Sequence, residues 1–273
     1  MAYRKLLLAG LLAFFLLAGS MAMAQSWVAP ASPQPEALGP NKAKGAVIWS
    51  HGRSLTAEDW QAPSPPYLAA LRQGGWDTFR FNRIRESDQL HSSSQALVAE
   101  VHRLKAMGYR RIALAGQSFG AFLALMAADN SDEVDAVIAT APAAFGNFSE
   151  FYDSWRSNAT RLYPLLEEVK RARVMVFYFH GDDFDPGGRG DRSREILAAH
   201  HHEYLVVDQP PQLTSHWAAT TPLFVSRFGA CILGFLDATR VEEGASCQND
   251  GYWAGLHPVS TKSAAAQGTE VAK

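Results

Sequence analysis

The sequence predicts a single α/β domain: a mostly parallel sheet of about six strands with helices on both faces. Three observations predict it. Short continuous apolar runs recur along the chain, as strands buried on both faces require. They are Ala46 to Trp49, Ile112 to Ala115, Val134 to Thr140, Val174 to Phe179 and Tyr204 to Val207. Segments with apolar residues at helical spacing separate them, the pattern of a parallel sheet wrapped by crossover helices. No internal repeat or low-complexity break interrupts residues 45–240, which read as one domain.

In chain order, Arg4 and Lys5 precede the apolar run Leu6 to Ala18, and Ala22-Met23-Ala24 follows. A charged start, a short apolar stretch and a small-x-small site have the form of an export signal, here residues 1–24. The run falls short of the ~20 residues a membrane span needs. No stable membrane insertion is therefore expected after cleavage, and the destination is periplasmic or extracellular. Residues 25–44, rich in Pro, Ala and Gln, read as a flexible lead-in. Trp76 to Phe81 alternates and reads as a further strand. Leu97, Val101 and Leu104 mark one helix, Ile196, Leu197 and Ala199 another. Phe224, Phe228, Cys231, Ile232 and Phe235 mark the last. Residues 241–273 read as a C-terminal tail, frayed from Thr261. Export places Cys231 and Cys247 in an oxidising space, where a disulfide between them would tether that tail.

The composition narrows the function. The 273 residues carry 25 Lys and Arg against 27 Asp and Glu, a net charge of -2. That balance argues against a nucleic-acid partner, which calls for a basic excess. Two cysteines cannot form a four-cysteine zinc site, and no His or Cys spacing matches metal ligation. His200, His201 and His202 are consecutive and would point in different directions from a helix end. No metal or organic cofactor is expected.

The chemistry concentrates just after the strands, where sites gather in parallel sheets. The run Ile112 to Ala115 leads into Gly116-Gln117-Ser118-Phe119-Gly120, then into Ala121, Ala124, Ala127 and Ala128. This G-x-S-x-G pattern between strand and helix has the form of a nucleophile elbow. The Ser hydroxyl stands exposed on a strained turn. Side chains two before and two after it would collide, which requires Gly at both places. The first helical turn adds N–H groups and a positive dipole end.

From about Lys44 to Asp237 the chain resembles the α/β-hydrolases, which order their triad as nucleophile, acid, His. The resemblance implies Ser118 as nucleophile. It implies an acid in His180-Gly181-Asp182-Asp183-Phe184-Asp185-Pro186, and His216 as base in Leu213-Thr214-Ser215-His216-Trp217. The family often places its acid four residues beyond the His of this His-Gly pair, a position held here by Phe184. Asp185 suits the spacing to the next helix and is favoured slightly; Asp183 suits a shorter loop and stays open. Ser50-His51-Gly52-Arg53 resembles the family's oxyanion loop, implying the backbone N–H groups of Arg53 and Phe119 as donors. Residues 143–169 carry Phe145, Phe148, Phe151, Tyr152, Trp155 and Tyr163. They are expected either to cap the site or to close the core.

The expectation is a secreted serine hydrolase that cleaves a small-molecule carboxylic ester. A serine peptidase on the same fold, and a binding protein that kept the fold without catalysis, are the alternatives.

Overall fold

The computed structural model describes residues 26–32, 36–185, 187–248 and 253–258. Residues 1–24, read from sequence as an export signal, and the tail beyond residue 258 lie outside them. The elements, in order, are β1 (Trp27–Pro30), β2 (Ala46–Ser50), α1 (Tyr67–Gln73), β3 (Asp77–Asn82), α2 (Leu90–Ala106), β4 (Ile112–Gln117), α3 (Phe119–Asn130) and β5 (Ala136–Thr140). Then come α4 (Tyr152–Asn158), α5 (Leu162–Glu167), β6 (Arg173–Tyr178), α6 (Arg189–Ala199), β7 (Tyr204–Asp208), α7 (Pro222–Asp237), β8 (Ala238–Cys247) and β9 (Trp253–Pro258).

The main sheet has 7 strands in the order β1-β3-β2-β4-β5-β6-β7. Strands β3 through β7 in that order pair in parallel. The apolar runs therefore became the expected parallel strands, and β2, β4 and β5 are buried at every residue. One core fills the face covered by α2, α3 and α6, with Leu97, Val101, Leu123, Ile196 and Leu197. The other lies under α1 and α7, with Leu68, Leu71, Phe224, Phe228 and Phe235. Thr221 caps α7, its hydroxyl accepting from the Phe224 N–H at 3.2 Å, and Pro222 opens the first turn, where its missing N–H costs nothing.

Two expectations about the chain ends change. The lead-in is not wholly loose: Trp27 to Pro30 adds an antiparallel edge strand to β3. Further along the lead-in, the buried Asp77 carboxylate accepts the N–H groups of Leu38 at 2.7 Å and Gly39 at 2.9 Å. The tail past residue 241 begins as the antiparallel hairpin β8–β9. Its Leu256 is buried against the second core, and a disulfide joins Cys247 to Cys231 on α7.

Candidate active site

Strand β4 ends at Gln117, and α3 begins at Phe119. Ser118 between them has φ 56 and ψ -120, a conformation that L-residues avoid and that persists only where the surroundings impose it. The surroundings here are glycines. A Cβ on Gly116 would collide with the backbone of Gly120, and one on Gly120 with the carbonyls of Ser50 and His51. The second glycine is thus demanded by the end of β2 rather than by the first glycine. The close approach brings the oxyanion-loop residues against the start of α3. A Cβ on Gly52 would lie 3.5 Å from the Ser118 Cβ.

That loop is fixed from behind. Arg83, at the end of β3, is buried, and its Nε lies 3.0 Å from both carboxylate oxygens of the buried Asp88. Its other arm donates to the carbonyls of His51 at 2.5 Å and Gly52 at 3.0 Å. The Arg83 N–H donates to His51 Nε2 at 3.0 Å, while Nδ1 lies 2.7 Å from the Gly52 carbonyl. His51 is therefore the neutral Nδ1–H tautomer. Burial, reinforced by the Arg83 charge, pushes its pKa down to about 2. Because a trans peptide is planar, a Gly52 carbonyl aimed at Arg83 sends the Arg53 N–H the opposite way. Neither that N–H nor the Phe119 N–H donates a hydrogen bond to another described residue.

The loops after β6 and β7 are stitched together. His180 and Thr214 form a bridge, and the Ser215 N–H donates to the His180 carbonyl at 2.8 Å. This brings His216 Nδ1 to 3.0 Å from both carboxylate oxygens of Asp182. Asp185 and Asp183, the acids favoured from sequence, are elsewhere. The loop turns directly after Gly181, with the Asp185 N–H closing onto the Asp182 carbonyl at 3.0 Å. That tight turn leaves Asp182 as the carboxylate facing His216. The Asp185 side chain caps Gly187 N at 3.2 Å, and that of Asp183 bonds the Ser149 hydroxyl. Phe184 packs against the imidazole at 4.1 Å between ring centroids, tilted by 33°. The Gln117 amide donates to the His216 carbonyl at 3.1 Å, tying the loop after β7 to the turn between β4 and α3. His216 Nε2 is buried without a partner among the described residues.

Ser118, His216, Arg53 and Phe119 line one cavity of about 560 Å³. Residues 143 to 147, with Glu150 and Phe151, form its outer wall. The stretch 143–169 divides its labour: its first part borders the cavity, whereas Leu162 and Leu166 of α5 are core residues. Trp155 pins α4 to the acid loop through Nε1, which donates to the Phe184 carbonyl at 3.2 Å. Asp59 and Trp217 separate this cavity from an apolar one of about 230 Å³ lined by Trp49, Tyr67, Pro63 and Pro65. The histidines at the end of α6 do not converge on a metal: His202 Nε2 faces the Glu167 carbonyl. Among the described residues no group of three potential ligands does.

Sequence reading missed Asp182 as the partner of His216, because family spacing drew attention further along the loop. It also missed Arg83 and Asp88, whose signal was a charged pair just past an alternating strand.

Comparison with known proteins gives the family and the fold. The chain belongs to the alpha/beta hydrolase family, whose model matches residues 47–256. Solved structures share the fold. An esterase of Pyrococcus furiosus superposes with a TM-score of 0.55 at 17% identity, over 72% of this chain and 84% of that one. A monoacylglycerol lipase of Paleococcus ferrophilus gives 0.56 at 13% identity, over 78% and 98%. The acylaminoacyl peptidase of Pyrococcus horikoshii gives 0.55 at 15% identity, over 79% of this chain but 39% of that larger one. At such identities the likeness is one of fold. No curated protein matches the chain in sequence.

Proposed function

We propose that this hydrolase is an exported serine esterase, with Ser118 as nucleophile, His216 as base and Asp182 as the acid that orients it. One observation carries the reading. Asp182 engages His216 through Nδ1, leaving a buried Nε2 without a partner among the described residues, on a side chain that shares a cavity with the strained Ser118.

In the reaction, His216 Nε2 takes the Ser118 proton as the hydroxyl oxygen attacks the ester carbonyl. The negative charge on the tetrahedral intermediate is met by the N–H groups of Arg53 and Phe119, which need no reorganisation to receive it. The imidazolium, stabilised by Asp182, then protonates the departing alcohol. Water repeats the sequence and frees the acid. Export is supported by the pattern of residues 1–24 and by the Cys231–Cys247 disulfide, a bond that persists in oxidising compartments.

Labelling by a fluorophosphonate, read by intact mass, tests the nucleophile. The wild type should gain one phosphonyl group and Ser118→Ala none, with hydrolysis of short 4-nitrophenyl esters lost in parallel. An unlabelled wild type, or an equally labelled variant, overturns the reading.

A further inference from the structure

Arg53 does more than lend a backbone donor. Its guanidinium carbon lies 5.2 Å from the ring centroid of Phe119, the residue after the nucleophile. The side chain lines the same cavity as Ser118 and His216, and its Nε is buried without a hydrogen-bond partner among the described residues. Among the described residues no carboxylate forms an ion pair with it. Asp88 holds Arg83, and Glu58 and Glu86 hold Arg85. Asp59 in the cavity wall accepts the Ser54 N–H, and Glu150 at the rim accepts from the Asn147 amide at 3.4 Å.

A charge partly removed from water is costly unless it is paired. Here the cation stands at the cavity that holds Ser118 and His216, 5.2 Å from the centre of an aromatic ring. A guanidinium presents a fork that matches a carboxylate in two parallel hydrogen bonds. The missing counter-charge is therefore one the substrate can bring. We propose that Arg53 forms an anion subsite, and that the preferred substrates are esters whose acyl or alcohol part carries a carboxylate. This rests on the serine-esterase reading and adds the substrate class to it.

Matched esters test it on the mature protein. On the acyl side, mono-4-nitrophenyl adipate is compared with 4-nitrophenyl hexanoate and with 4-nitrophenyl 6-(trimethylammonio)hexanoate. On the alcohol side, 4-acetoxybenzoate is compared with 4-acetoxybenzamide. In at least one series kcat/KM for the anionic ester should exceed that for the neutral one by about ten- to a hundredfold, the range of a charge-assisted pair. The preference should shrink with added salt. In Arg53→Met the anionic-to-neutral ratio should collapse toward unity, and Arg53→Lys should keep part of it. Equal turnover of anionic and neutral esters in both series overturns the subsite while leaving the esterase reading standing. A cationic ester as the best substrate also overturns it and gives the specificity to Asp59. Failure to hydrolyse any ester, together with no phosphonate labelling, removes the esterase reading and the subsite with it.

Discussion

Asp182 offers both carboxylate oxygens to Nδ1 of His216, each at 3.0 Å, and both side chains are buried. A carboxylate in that position sets the imidazole tautomer: with the proton on Nδ1, Nε2 is left to accept. In the proposed mechanism it also offsets the positive charge that the ring gains during proton transfer.

Asp182→Asn follows directly. An amide can donate to Nδ1 and so favours the wrong tautomer, which costs on the order of 10⁴ in kcat in serine hydrolases built this way. Asp183→Asn should stay within a few-fold of wild type, because its carboxylate bonds the Ser149 hydroxyl and not His216. Steady-state kinetics on a 4-nitrophenyl ester separate the two. A mild Asp182→Asn alongside a severe Asp183→Asn would place the acid one residue later than the geometry does.

Asp185 should show itself in stability instead. Burial pushes its pKa up to about 6, against the opposing pull of Arg189. Unfolded, the group titrates near ~3.9, so the folded state holds the proton more tightly. Ionisation therefore costs stability as pH rises from about 4 to about 6, and the full cost remains above that window. Asp185→Asn removes it while keeping an acceptor for the Gly187 N–H. The variant should match wild type near pH 4 and exceed it at pH 8 by about 2 kcal/mol, with activity of the same order. Urea melts at the two pH values measure this; a variant less stable at pH 8 refutes it.

Arg83 and Asp88 should matter to turnover without touching substrate. They hold the His51 and Gly52 carbonyls back, which aims the Arg53 N–H the other way. Arg83→Gln strands the buried Asp88 and should destabilise by about 3–5 kcal/mol. Asp88→Asn keeps a polar partner and is the cleaner probe. In it kcat should fall with KM little changed, the signature of an interaction made in the transition state. A raised KM at unchanged kcat would assign the pair to ground-state binding.

How far the sequence carried these conclusions depended on the range of the signal. Strands buried on both faces leave runs such as Val174 to Tyr178, readable because nearly every position is apolar. The elbow was readable because its constraints are local: the glycines at 116 and 120 sit where any Cβ collides with backbone. The acid was not, because three aspartates stand within four residues. Only the bridge between His180 and Thr214, a pairing across loops 34 residues apart, decides which one meets His216. Strand β1 was hidden for a similar reason. None of its four residues is fully buried, and its pairing partner is β3, some 50 residues further along the chain.

The disulfide gives the last prediction. Cys231 is fully buried on α7, and its Cα lies 5.9 Å from that of Cys247 on β8, 16 residues away. The bond closes a loop of a length worth about 3 kcal/mol in the chain-entropy model. What it secures is the β8–β9 hairpin, which also has packing of its own. Leu256 is buried in the second core. The Trp253 ring lies over Gly234, where an added Cβ would come within 3.1 Å of it. Removing the bond should therefore loosen the hairpin before it unfolds the sheet. Neither cysteine lines the cavity, so Cys231→Ala with Cys247→Ala should still label with fluorophosphonate at low temperature. Its Tm should fall by on the order of 10 °C, and limited proteolysis should cut first within the hairpin. Reduced wild type should melt with the double variant, which separates loss of the bond from loss of the side chains. If oxidised, reduced and double-variant proteins melt within a degree of one another, Trp253 and Leu256 hold the hairpin by themselves and the disulfide contributes nothing measurable.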